Sequence, residues 1–398
     1  MAQALTLEIL QRLIAFDTTS CHSNLELMAY IQTFLSSHEI ESELIYDEEG
    51  KKANLYCTIF PGKNTENTSG IMLSGHTDTV PVTGQNWHYD PYQLTKDRTR
   101  YYGRGTSDMK GFIAVVLAAV PEMVAQPLHI PIHLAFSYDE EIGCIGVRRL
   151  IDTLEAQPIK PAICIIGEPT SMKVVSAHKG KLAAKVTVHG KECHSGMAPL
   201  GVNAVNYAAR LIVWLEQLAQ QKQAQGPFDN SYDIPYSTVH VGTVNGGVAL
   251  NIVPKLANFE FEFRNIGAED PTQLLAQFEA YVATLATEMQ IIDSNCTIDV
   301  QVSTQYPGLS TTQDIQAIEF VRKLAQNSEV ASINFGTEGG LFSNRLGVAT
   351  LVCGPGSMDQ GHKPDEYIES QQLEECEAFM ARLITELRSR QVTEQLLP

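Results

Sequence analysis

Short apolar runs alternate with amphipathic stretches along the first part of the chain. "NLYCTIF" (54–60), "IMLSG" (71–75), "IHLAFSY" (132–138) and "AICIIGE" (162–168) are each bounded by turn residues or charge. Runs this short, with little alternation, read as strands covered on both faces. Between them, "NLELMAYIQTFLSSH" (24–38) repeats its apolar positions at helical spacing. "MKGFIAVVLAAVPEMVA" (109–125) predicts a helix of small residues that can lie close against a sheet. This order predicts an α/β fold, with a mainly parallel sheet flanked by helices.

Near Lys181 the pattern changes. "KLAAKVTVHG" alternates like a half-exposed strand, a helix is expected over 203–221, and strands follow at "YSTVHVGTVNGG" and "ANFEFEFRN". A loop is expected over 223–235, a second helix over about 271–289, and a closing strand at "CTIDVQVS". The order βαββαβ is that of a ferredoxin-like sandwich, and "FEFEFR" predicts a sheet with one wet face. The α/β character returns after residue 306 with "IQAIEFVRKLAQN" and "VATLVCG". The expected organisation is a domain made of 1–179 and 306–398, interrupted by an inserted domain at 180–305.

Composition narrows the class. The chain has 398 residues, enough for two domains, and a formal net charge of −18. That charge argues against nucleic acid and anionic membranes as partners. No apolar run approaches a membrane span. The N-terminal stretch lacks the features of a signal peptide and reads as an amphipathic helix. Eight cysteines occur singly, without a C-x-x-C pair, several inside apolar runs such as "AICIIGE". They read as buried thiols in a reducing compartment, so a cytoplasmic location is expected.

The candidate chemistry sits where apolar runs end. "IMLSGHTDTVPV" finishes its strand in His76-Thr77-Asp78. Positions i and i+2 of a strand share a face, so Asp78 can orient His76 and strengthen it as a metal ligand. Alone, such a pair reads as a turn closed by polar side chains. "YYGRGTSDMKG" sets Asp108 just before the small-residue helix. "IHLAFSYDEEIG" ends in Glu140-Glu141, "AICIIGEPT" in Glu168, and "LVCGPGSMDQGHKPDEYI" places His362 after a strand and a glycine loop. In open α/β sheets, ligands bind beyond the carboxyl ends of the strands. His76, Asp108, Glu141, Glu168 and His362 are more donors than one catalytic zinc uses, and they suit two metals sharing a bridging carboxylate. Glu140 is left over beside Glu141. It is free to take a proton from an attacking water and pass it to a leaving amine.

Taken together, "SGHTDTVPV", "GRGTSDMKG", "DEEIG", "GEPT", "HKG", "HSG" and "GHKPDEYI" resemble the dinuclear-zinc amidohydrolase family, which includes desuccinylases, aminoacylases and glutamate carboxypeptidase. The resemblance spans essentially the whole chain. It implies one Zn2+ on His76, Glu168 and a bridging Asp108, and a second on Asp108, Glu141 and His362, with Co2+ able to substitute. It also implies Asp78 as orienter of His76, Glu140 as general base, and a cis peptide after Asp108. The insert is implied to be a lid and dimerisation domain in a homodimer. His194 in "ECHSGMAP" would reach the partner's site and polarise the scissile carbonyl. Arg264 and Asn251 match positions used around a substrate carboxylate; Arg264 alone reads equally well as a surface salt bridge.

Within the family, "GRGTSDMKGFIA", "FGTEGGLF" and "GPGSMDQGHKPDEYI" look most like the acetylornithine deacetylases. Glu168 and the Thr337-Glu338 pair carry that likeness. It implies hydrolysis of N2-acetyl-L-ornithine to L-ornithine and acetate, a step of arginine biosynthesis; an ornithine ammonium wants an acidic partner, for which Glu338 is a candidate, though Glu338 also reads as the cap of a loop. Other readings stay open: a succinyl-diaminopimelate desuccinylase using Lys179 and Lys181, a general aminoacylase, a dipeptidase, or a non-catalytic binding protein on the same fold.

Overall fold

The computed structural model describes residues 2–60, 69–125 and 127–389. Two compact units form. The larger takes the chain up to Ala177, Leu309–Ser332 and the chain from Thr337 onward; the smaller takes His178–Gly308 and Ile333–Gly336.

The larger unit is built on a nine-stranded sheet. At its centre, Ile132–Ser137, Ile71–His76, Ile163–Pro169 and Ala349–Gly354 lie side by side in that order, and all pair in parallel. The first three are buried at every position, which is why their sequences are apolar without alternation. Ser42–Tyr46 and Ala53–Ile59 extend the sheet antiparallel at one side. Helices Ala2–Ile14, Lys110–Ala125, Ile315–Ala325 and Ser370–Leu387 pack on one another, and Val147–Glu155 packs against Gly339–Leu346. The expected mainly parallel sheet with flanking helices is therefore present.

Small residues let Lys110–Ala125 approach the sheet. A Cβ on Gly167 would lie 2.0 Å from Cγ of the Phe112 ring. Glycine at 167 thus lets the first turn of the helix sit against the strand that carries Glu168.

The smaller unit holds a four-stranded antiparallel sheet in the order Thr238–Gly246, Leu256–Asn265, Gly180–His189, Thr297–Tyr306. Helices Ala204–Gln225 and Pro271–Ile292 cover one face. This is the βαββαβ order with the strand arrangement of a ferredoxin-like sandwich. Leu182, Ala184, Val186 and Val188 alternate inward, as do Phe259, Phe261 and Phe263. Phe261 packs edge-on to Phe278, with ring centroids 4.9 Å apart. Truncating such a ring to Ala costs about 3–5 kcal/mol. The first helix runs past residue 221 to Gln225, where Gly226 (φ 73°) ends it, so the following loop starts later than the sequence suggested.

Candidate metal centre

Because the four central strands are parallel, their carboxyl ends share one edge of the sheet. His76 is the last residue of its strand, Glu168 lies near the end of Ile163–Pro169, and Asp139-Glu140-Glu141 follow Ile132–Ser137. His362 lies on the loop after Ala349–Gly354, with left-handed backbone (φ 61°). Asp108 immediately precedes the Met109-Lys110 entry into the buried helix, and the Asp108–Met109 peptide is cis.

Two groups of donors result. In one, donor atoms of His76, Asp108 and Glu168 lie within 4.8 Å of one another; in the other, those of Asp108, Glu141 and His362 do. His76 Nε2 is 3.0 Å from Asp108 Oδ1 and 3.6 Å from Glu168 Oε1. His362 Nε2 is 3.1 Å from Asp108 Oδ2 and 3.0 Å from Glu141 Oε2. Asp108 therefore belongs to both groups, one oxygen facing each imidazole.

The electrostatics are those of an acid cluster short of positive charge. Burial, reinforced by Asp108, pushes the Glu141 carboxyl up to about 7. Burial raises Glu140 and Glu168 well above the ordinary glutamate range; His76 opposes this, and neighbouring carboxylates add to it. Asp108 and Glu141 draw His362 up to about 10. Burial disfavours charge on His76 and on Asp108, yet contact with each other and with their neighbours raises the first and lowers the second. Asp108 Oδ2 is buried and accepts no hydrogen bond of acceptable geometry, although His362 Nε2 is beside it. An orphaned carboxylate oxygen, two imidazole nitrogens and three carboxylates without a thiolate fit hard or borderline divalent cations. The residues fit two such cations sharing Asp108.

Glu140, partly buried, is outside both donor groups. Its Oε1 accepts a hydrogen bond from Cys144 Sγ at 3.4 Å. Asp78 lies against His76 with both its main chain and its carboxylate. His76 Nδ1 meets the backbone oxygen of Asp78 at 3.0 Å, while the Asp78 carboxylate is 3.6 Å away. That carboxylate also accepts the backbone N–H groups of Glu140 (3.0 Å) and Glu141 (3.3 Å) and the Ser20 hydroxyl (2.7 Å). Asp78 thus fixes His76 through its main chain and the Glu140-Glu141 turn through its side chain.

Sequence reasoning missed Glu366 and Arg104. Both are 1% exposed and pair at 2.6 Å across 262 residues. Glu366 also accepts the backbone N–H groups of Gly105, Ser107 and Asp108 at 2.9–3.1 Å. Arg104 reaches Gln85, whose amide donates to the His362 carbonyl at 3.0 Å. The loops carrying Asp108 and His362 are tied together this way. The signal was a charged residue inside each of two motifs, "GRGTSDMKG" and "GHKPDEYI".

Thr337 and Glu338 are also buried. The Thr337 hydroxyl accepts from Gly339 N at 3.0 Å, and Glu338 Oε1 accepts from Ser137 Oγ at 2.6 Å. Burial pushes Glu338 up to about 7. It belongs to the acid cluster rather than to a solvent-facing rim.

His194, Asn251 and Arg264 lie in the smaller unit. His194 and Asn251 are exposed, and the Asn251 carbonyl accepts from Ser195 N at 3.0 Å. His194 precedes the 3-10 turn Ser195–Leu200, and its Nδ1 accepts the Gly196 N–H at 3.1 Å. A backbone N–H can only donate, so the neutral ring carries its proton on Nε2. Arg264 is half-buried and paired, with Nε 3.0 Å from Glu262 and Nη1 3.0 Å from the Tyr306 hydroxyl. All eight cysteines are free, six of them buried. Among the described residues no helix is long and apolar enough to cross a membrane.

The chain is 31% identical over 386 residues to an acetylornithine deacetylase of Pasteurella multocida, covering 95% of this chain and 97% of that one. It is 32% identical over 378 residues to an acetylornithine deacetylase of Myxococcus xanthus, covering 94% and 95%. Among solved structures, a Staphylococcus aureus tripeptidase superposes with a TM-score of 0.74 at 19% identity, covering 97% of this chain and 98% of that one. A Bacillus subtilis dinuclear metal-binding peptidase of the M20 family superposes with a TM-score of 0.64 at 13% identity, covering 97% and 98%. The model of peptidase family M20/M25/M40 matches residues 72–386, a span that contains both donor groups and the whole inserted sandwich, and the chain belongs to that family.

Proposed function

We propose that this chain hydrolyses N2-acetyl-L-ornithine to L-ornithine and acetate. The observation that carries the amide hydrolysis is one carboxylate, Asp108, shared by two donor groups, with the uncommitted Glu140 on the turn next to them. The named relatives support the substrate. His76, Asp108 and Glu168 would hold one cation, and Asp108, Glu141 and His362 the other; we assign zinc, with cobalt able to substitute. Bound there, the cations would supply Lewis acidity toward water and carbonyl, and positive charge to the buried acids.

Glu140 takes the proton of the attacking water and returns it to the departing nitrogen, so the C–N bond breaks with a neutral amine leaving. Asp78 holds the Glu140 and Glu141 backbone while this happens. His194, contributed by the partner chain of a homodimer, donates its Nε2–H to the carbonyl oxygen as negative charge develops there. Its hydrogen bond from Gly196 supports that role by fixing the tautomer. Arg264 and Asn251 take the substrate's α-carboxylate, Arg264 giving up its contact with Glu262. Thr337 places Glu338, which draws the ornithine ammonium through its field. This is a cytoplasmic reaction of arginine biosynthesis.

The test is a hydrolysis panel of acetylornithine, succinyl-diaminopimelate, acetylmethionine and a dipeptide, each with zinc or cobalt added. Acetylornithine should have the highest kcat/KM. A faster dipeptide or acetylmethionine reaction would replace it with a broader specificity. The dimer is tested by mixing two inactive variants, His194→Ala and Glu140→Ala. With random exchange half the dimers are mixed and each has one competent site, so roughly a quarter of wild-type activity returns. No recovery after proven exchange rejects action across the interface.

A further inference from the structure

The turn bearing Glu140 and Glu141 is gripped from a direction that neither donor group explains. Asp139, at its start, has a left-handed backbone (φ 55°) although it is not glycine. L-residues keep this conformation where surrounding contacts impose it. Both Asp139 carboxylate oxygens face Lys52 Nζ, at 2.6 and 2.8 Å. The pair is shielded, with side chains 16% and 11% exposed. The same ammonium donates to the Ser20 carbonyl. Ser20 Oγ donates to Asp78, whose carboxylate takes the N–H groups of Glu140 and Glu141. The contacts close a ring: Lys52, Ser20, Asp78, the backbone at Glu140, Asp139, and Lys52 again. It joins four segments of the larger unit that are remote in sequence.

We propose that Lys52 is a positioning residue for Glu140, acting through Asp139 and Ser20 rather than on substrate. The ring holds the Glu140 backbone on both sides: Asp78 from its own N–H, Lys52 from the residue before it. Lys52 immediately precedes the strand Ala53–Ile59. Without its ammonium, Asp139 becomes a shielded, unpaired carboxylate close to Asp78, and the turn relaxes by swinging it toward water. Glu140 moves with it. A displacement of about 1 Å at a reacting group is enough to cost roughly 100-fold in rate. The inference rests on Glu140 being the general base.

The experiment uses the full-length, Co2+-loaded enzyme and whichever panel substrate the wild type hydrolyses. Lys52→Met should lower kcat by roughly 10- to 100-fold, with KM and Co2+ affinity within about twofold of wild type. Lys52→Arg, which restores a cation, should recover most of the loss. If Lys52→Met does not fold, Asp139→Asn decides: a kcat loss at unchanged KM supports the role. A kcat within about twofold of wild type in the folded variant overturns it, as does a loss that weakened Co2+ binding accounts for. A wild type inactive on the whole panel instead rejects the amidohydrolase reading.

Discussion

The strand-end cluster and the βαββαβ insert hold their candidate residues in opposite ways. His76, Asp108 and Glu168 are nearly without exposure, His76 and Asp108 each meet several partners, and a buried Arg104–Glu366 pair lies behind them. His194 and Asn251 stand exposed on a short turn and a loop, held by one or two local hydrogen bonds. In the first region geometry is bought with desolvation, and a change there strikes folding and chemistry together. In the second, polar groups stay in water until something covers them, so function and stability separate.

That contrast can be broken by substitution. The largest expected effect is at Glu140, which lies at the cluster without belonging to either donor group. Glu140→Ala should lower kcat by about 10²–10⁴-fold with cation content unchanged, read by steady-state kinetics and metal analysis. Equal metal loss in Glu140→Ala and Glu141→Ala would erase the distinction between base and ligand. Next comes Glu366→Ala, which strands Arg104 in the core. Denaturant unfolding should show a loss of about 3–5 kcal/mol, and an undiminished stability would contradict the described pairing. His194→Ala should lose about 10²–10³-fold in kcat with no change in thermal midpoint, the reverse of Glu366→Ala. Smallest is the substrate side. Acetylornithine should exceed acetylnorvaline in kcat/KM by more than the ~1–3 kcal/mol that a methylene is worth, and equal values would remove the ammonium from recognition.

The same contrast explains what was legible in the sequence. Uninterrupted apolar runs announced the buried parallel strands, and "FEFEFR" announced the half-wet sheet, because burial on two faces or one leaves a periodicity. Strand-end placement put His76, Asp108, Glu141, Glu168 and His362 among the candidates, since a parallel sheet gathers such ends on one edge. Partnerships that cross the chain left no such trace. The Asp78 carboxylate also holds the Glu140-Glu141 turn, and Lys52, Arg104 and Glu366 read from sequence as ordinary charges. The helix Ser370–Leu387 also escaped notice. Its buried stripe of Leu373, Cys376, Phe379, Met380, Leu383, Ile384 and Leu387 is diluted by Glu374, Glu375, Glu377, Arg382 and Glu386.

Asp108 is proposed to serve two cation sites while its neighbours serve one each. Titrating the metal-stripped protein with Co2+, by calorimetry and visible absorption, tests it without relying on turnover. Wild type should take up two equivalents, Glu168→Ala and Glu141→Ala one tight equivalent each, and Asp108→Ala should lose tight binding at both sites. A single equivalent in wild type, or two tight equivalents retained in Asp108→Ala, would contradict that sharing.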